Sequence, residues 1–193
     1  MSKKISKIQA LAESAIMVAL SIAIFAVSDS LPWPFLYGGG FSLFGQVPII
    51  IVSYRHGIKS GLAASTVLAL FEMIMGFKNF SYVTGLAAYL IVALADYLVA
   101  FGCLGLGGMF KGKFGANQTS ELILGGLAVC LIRYICHFIS GITVWQGYCP
   151  EGQLVAVYSL TYNGAYMLIE TILTVVGLAA VSGVFNLAKK KLG

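Results

Sequence analysis

The sequence predicts an all-α integral membrane protein: a six-transmembrane-helix bundle with both termini cytoplasmic. Three observations predict it. Of the 193 residues, 59% are hydrophobic and only 10% charged, whereas soluble domains run near 45–50% and about 25%. The apolar residues gather into six stretches broken by turns rich in Pro, Gly or Lys. The basic residues behind the net charge of +5 sit at the ends of those stretches, a pattern that fits a lipid bilayer and argues against nucleic acid. At about 20 residues per span, residues 1–193 make one membrane domain with no room for a soluble one.

Helix 1 is expected over residues 8–27, behind the basic segment Met1 to Lys7. Its apolar run is longer than a signal-peptide core and no A-x-A-like site follows, so it reads as a retained span. Pro32, Pro34 and Gly38 to Gly40 mark a loop. Helix 2, residues 41–54, is short and contains Pro48, a break that neighbouring helices in a membrane can compensate. Arg55 to Lys59 forms a tight charged turn before helix 3, residues 61–75. A loop around Gly76 to Asn79 leads to helix 4, residues 83–110, and Lys111 to Lys113 turns the chain into helix 5, residues 121–144. The segment Trp145 to Gly152 precedes helix 6, residues 154–187, and Lys189 to Lys191 follow.

Charge placement tests the count. With six spans, Lys3, Lys4, Lys7, Arg55, Lys59, Lys111, Lys113 and Lys189 to Lys191 share one face, which the positive-inside rule makes cytoplasmic. Five or seven spans would put the terminal lysines on opposite faces. Cys103, Cys130, Cys136 and Cys149 show neither a CxxC pair nor metal-ligand spacing.

Ionisable residues inside a membrane cost about 2.5–3.5 kcal/mol each near the centre, so each asks for a reason. The candidates are Glu72, Asp96, Arg133, His137 and Glu170. At about 1.5 Å per residue, Asp96 falls about 20 Å into helix 4 and Arg133 about 18 Å into helix 5, both near mid-membrane. His137 lies one turn beyond Arg133 on the same face. Asp96 and Arg133 admit two readings, a structural ion pair and a ligand-facing carboxylate held by an arginine. His137 reads as a satisfied buried histidine or as a ligand contact. Trp145, Tyr148, Tyr158, Tyr162 and Tyr166 could form an ordinary interfacial belt, the reading favoured for Tyr148 and Tyr166, and the stripe Tyr158, Tyr162, Tyr166 suits packing. Tyr158 and Asn163 are about 140° apart on an ideal helix, so a pocket using both opens near the helix edge. These polar groups gather toward the outer half of helices 4 to 6, which fits a blind pocket better than a spanning pore. HExxH, GxSxG, P-loop and dinucleotide motifs are absent, so the chain reads as no enzyme and calls for no cofactor or metal. Uphill movement of a substrate would need a separate driving partner.

Three ordered motifs carry a family resemblance: Asp96 to Phe101 (DYLVAF), Arg133 to Gly141 (RYICHFISG) and Tyr158 to Asn163 (YSLTYN). With Gly38 to Ser42 before Pro48, and Ala15 to Ala19 in helix 1, the chain resembles the thiamine-specific substrate-binding subunits, or S components, of energy-coupling factor vitamin transporters. The resemblance implies thiamine as substrate and a plasma-membrane location. It implies as partners a transmembrane coupling subunit and two cytoplasmic ATPases. It also implies a pocket near the outer face that uses Asp96, Tyr97, His137, Trp145, Tyr158 and Asn163. No first-loop lid residue carries over, because Trp33, Tyr37 and Phe41 are only near the family position. Ala15, Ala19 and Ala23 give helix 1 a small-residue face suited to a partner helix. Rival readings are an S component for another vitamin or a precursor such as hydroxymethylpyrimidine, a structural membrane subunit, and an intramembrane enzyme.

Overall fold

A computed structural model describes residues 6–35, 39–115, 117–184 and 187. Tyr37, Gly38, Lys3, Lys4 and Lys189 to Lys191 lie outside them. Among the described residues the regular structure is all helical: α1 (Lys7–Asp29), α2 (Gln46–His56), α3 (Ile58–Met75), α4 (Leu86–Leu106), α5 (Gln118–Thr143) and α6 (Val155–Val184). All but α2 are long and apolar enough to cross a membrane.

Local chemistry sets the ends. Ser6 caps α1 in a capping box with Gln9. Asn117 caps α5 by accepting from the Ser120 N–H, with Glu121 in the first turn. Gly57 alone joins α2 to α3, and its φ of 92° is one that a side chain would disfavour.

Helix 2 differs from expectation. The helix begins at Gln46 rather than at residue 41, and its 11 residues span only about 16 Å, too short to cross a bilayer core of about 30 Å alone. Two causes are visible. The carboxylate of Glu170 on α6 accepts from the N–H and the hydroxyl of Ser42, which draws residues 42–45 away from helical pairing. Pro48 falls in the first turn, where a missing N–H costs nothing, so the break needs no compensation. Every residue of α2 except Arg55 is buried, and the helix threads the centre of the bundle against α1, α3, α5 and α6.

The other helices wrap α2, with α1 on α3, α3 on α4, α4 on α5, and α5 along α6. A Cβ on Gly141 of α5 would lie 2.1 Å from Ser159 Oγ on α6; only glycine permits this approach, as expected where membrane helices meet closely. Helix α4 is not a regular α-helix over 83–110. Its residues Val92–Val99 form a π-helical stretch and Cys103–Leu106 a 3₁₀ turn. Such widened turns recur at functional sites, and this one holds Asp96 and Tyr97. Outside the bundle, Ala15, Ala19 and Ala23 of α1 are exposed.

Candidate functional site

At the bundle end that carries the loops after α1, α3 and α5, a cavity of about 650 Å³ opens between the helices, a size suited to a small organic ligand. Asp96, Tyr97, His137, Trp145, Tyr158 and Asn163 all line it. So do Trp33 and Phe41 from the segment before α2.

Asp96 is the hub of one wall. Its Oδ1 accepts from His137 Nδ1 at 3.0 Å, and its Oδ2 accepts from Ser140 Oγ at 2.6 Å and Trp145 Nε1 at 3.0 Å. A carboxylate only accepts, so His137 carries its proton on Nδ1. The opposite nitrogen, Nε2, is buried without a partner among the described residues. The widened turn of α4 and the end of α5 with its exit thus present a carboxylate, an imidazole nitrogen and an indole face together.

Tyr97 stands in the adjoining wall. Its hydroxyl donates to the Gly76 carbonyl at 3.0 Å and accepts from Asn79 Nδ2 at 2.9 Å, while its ring stacks between Phe80 and Phe101. Tyr158 packs against Tyr162 at 5.8 Å between ring centroids. Asn163 is spent largely on the fold. Its amide donates to Ser159 O at 2.9 Å and His137 O at 3.3 Å, and its Oδ1 accepts from Tyr166 O–H at 2.6 Å. The structure therefore brings all six sequence-selected residues to one cavity, with Asn163 as the clamp between α5 and α6. Tyr166 is buried, bonded to Asn163 and edge-on to His137; it is not a belt residue.

The ion-pair reading of Asp96 with Arg133 is overturned. Arg133 Nη1 lies 3.7 Å from Glu170 Oε1, and the guanidinium sits 4.4 Å over the Phe101 ring. Glu170 also accepts from Ser42 and from Gln46 Nε2, which ties α2 and its leading segment to α6. Among the described residues four carboxylates line the cavity, Asp29, Glu72, Asp96 and Glu170, against two fixed cations, Lys78 and Arg133. That excess of negative charge favours a cationic ligand.

Sequence reasoning missed Trp33 as a lining residue. Its indole donates to the Ser28 carbonyl at 2.9 Å and packs on Phe41 at 4.0 Å between centroids. Its placement between two prolines carries no periodicity, so no pattern marked it. Glu72, which stood among the intramembrane ionisable residues without a role, also faces the cavity.

Comparison with known proteins agrees with this architecture. The chain is 33% identical over 172 residues to the thiamine transporter ThiT of Bacillus subtilis (strain 168), with 81% of each chain covered. It is 29% identical over 142 residues to ThiT of Lacticaseibacillus paracasei, covering 69% of this chain and 68% of that one. The solved structure of ThiT from Listeria monocytogenes superposes with a TM-score of 0.70 at 20% identity, over 92% of this chain and 95% of that one, which shows a shared membrane helical bundle. The family model described as "Thiamine transporter protein" matches residues 11–188. A family of transporters rather than enzymes and several membrane-spanning helices place the chain as a multi-pass protein of the plasma membrane. The chain belongs to the thiamine transporter protein family.

Proposed function

We propose that the chain is the S component of an energy-coupling factor importer, capturing thiamine with high affinity in a pocket open to the outside. The observation that carries this reading is the Asp96 cluster in a cavity with excess negative charge. Thiamine has an aminopyrimidine, a cationic thiazolium and a hydroxyethyl arm. A carboxylate beside an imidazole acceptor can take hydrogen bonds from the aminopyrimidine. Indole and phenol faces attract the cationic ring by about 0.5–2 kcal/mol.

Six crossings with both termini cytoplasmic fit the bundle if residues 39–45 and α2 make one crossing together. Non-helical backbone is tolerated at membrane depth where protein covers it, and Ser42 and Gln46 are buried against Glu170. In this topology the loops at the cavity face outward, and Arg55, Lys59, Lys111 and Lys113 face the cytoplasm. Calorimetric titration of the detergent-solubilised chain tests the function. Thiamine binding tightly, and well above hydroxymethylpyrimidine, is the expected result; no thiamine binding alongside tight binding of another vitamin reassigns the substrate.

A transmembrane coupling subunit and two ATPases would supply the driving force. The exposed Ala15 and Ala19 of α1 suit close approach of a coupling helix. Replacing both with leucine should leave thiamine binding by the isolated chain intact and abolish uptake by whole cells. Normal uptake by the double variant removes this face from the interface.

Fluorescence reports the pocket. Thiamine should quench the intrinsic emission, because an electron-poor thiazolium stacks on indole. Both tryptophans line the cavity, so single variants divide the quench between them. Trp145→Phe is expected to lose the larger part and to weaken binding by about 0.5–1.5 kcal/mol, since its indole is fixed on Asp96. Trp33→Phe should keep most of the change. A larger loss from Trp33→Phe would move the stacking ring to the first loop.

A further inference from the structure

The carboxylates lining the cavity are unequally provided for. Asp96 accepts from three donors, and Glu170 accepts from Ser42 and Gln46 with Arg133 near. Glu72, one turn before the end of α3, has no hydrogen bond and no ion pair among the described residues, although only 6% of it is exposed. Its Oε1 is wholly buried and unpartnered, and the residue lines the cavity. A buried acceptor left unmet costs stability, and here no described residue meets it. The other charges acting on it are Asp29, Arg133 and Glu170, and Arg133 already stands against Glu170 and Phe101.

We propose that Glu72 is a specificity-determining residue that receives the cationic, unphosphorylated half of the substrate and rejects its phosphate esters. The inference rests on the thiamine reading of the pocket. With the aminopyrimidine at Asp96 and one face of the thiazolium on the Trp145 indole, the rest of the ring and its hydroxyethyl arm reach the part of the cavity where Glu72 is unmet. There the ring's positive charge favours the ionised form of the buried Glu72 carboxyl, which can then accept from the terminal hydroxyl. A phosphate on that hydroxyl would replace a donor with an anion, set against Glu72, Glu170 and Asp29. The lining cations that could favour the ester are already opposed, Arg133 by Glu170 and Lys78 by Asp29.

The test is calorimetric titration of the full-length chain in detergent with thiamine and with thiamine monophosphate. The wild-type chain should prefer thiamine by about tenfold or more, the worth of one charge-assisted hydrogen bond. Glu72→Gln should weaken thiamine by about tenfold or more while leaving the monophosphate unchanged or tighter. A weakening confined to thiamine, or opposite responses to the two ligands, is something a purely structural role cannot produce. Equal weakening of both, no change in either, or a wild-type preference for the monophosphate overturns the proposal. Glu72→Asp keeps the charge and serves if the glutamine variant does not fold: it should retain the preference for thiamine, and equal binding of both ligands overturns the proposal. A wild-type chain that binds neither ligand refutes the thiamine reading itself, a result distinct from all of these.

Discussion

Replacing Asp96 with asparagine is expected to weaken thiamine binding by about 1.5–3 kcal/mol, the worth of a hydrogen bond to a charged group, or roughly tenfold to a hundredfold in affinity. The carboxylate holds His137, Ser140 and Trp145 in place and supplies negative charge to a cationic ligand. An asparagine keeps one accepting oxygen for Ser140 and Trp145, so the wall survives, but its amide can only donate where the second oxygen accepted. Either the His137 hydrogen bond is lost or the imidazole proton moves to Nε2, which removes the acceptor offered to the ligand, and the charge goes in both cases. Because Arg133 is paired with Glu170 and not with Asp96, no buried arginine is stranded, and the melting temperature of the ligand-free protein should change little. Unchanged affinity with a large fall in melting temperature would return Asp96 to a structural role.

Glu170→Ala should have the largest effect on stability. Glu170 is only 1% exposed and gathers Ser42, Gln46 and Arg133 around one carboxylate. Removing it leaves a buried guanidinium uncompensated, a change worth about 3–5 kcal/mol, and frees the donors of Ser42 and Gln46. Leu43, next to Ser42, holds a left-handed φ of 55°, a conformation that persists only where the surroundings enforce it. The expected outcome is a large fall in melting temperature in detergent together with loss of thiamine binding, since the segment before α2 carries Phe41 into the cavity. A melting temperature unchanged from wild type would show that Glu170 does not hold this segment.

The spans α1, α3, α5 and α6 were readable from the sequence because each is a long apolar run closed by charges or by Gly and Pro. Helix α2 was not. Its start depends on Glu170, which is 128 residues distant from Ser42, and no local pattern records such a contact. The π-helical stretch of α4 was equally invisible, since Val92 to Val99 is apolar whichever helix it forms. In the site, Asp96 and His137 were legible as polar residues placed in apolar helices, and Trp145 through the family resemblance; Ser140 lay inside a motif without being singled out. Arg133 was assigned to the wrong neighbour because helix spacing gives depth and face but not which helix lies opposite. Asn163 was legible as a buried polar group, yet the demand on its amide came from Ser159 and Tyr166 on its own helix and from the backbone of α5. Glu72 carried a membrane cost without a visible partner, and the fold shows that it has none among the described residues.

The central claim is that this cavity holds thiamine, and the most direct measurement is mass spectrometry of the small molecule released from the chain after gentle detergent extraction from cells. Thiamine in near-stoichiometric amount is expected from the wild-type chain, with a marked depletion from Asp96→Asn. A different vitamin or a free pyrimidine in its place, or a ligand-free protein that also fails to bind added thiamine, would contradict it.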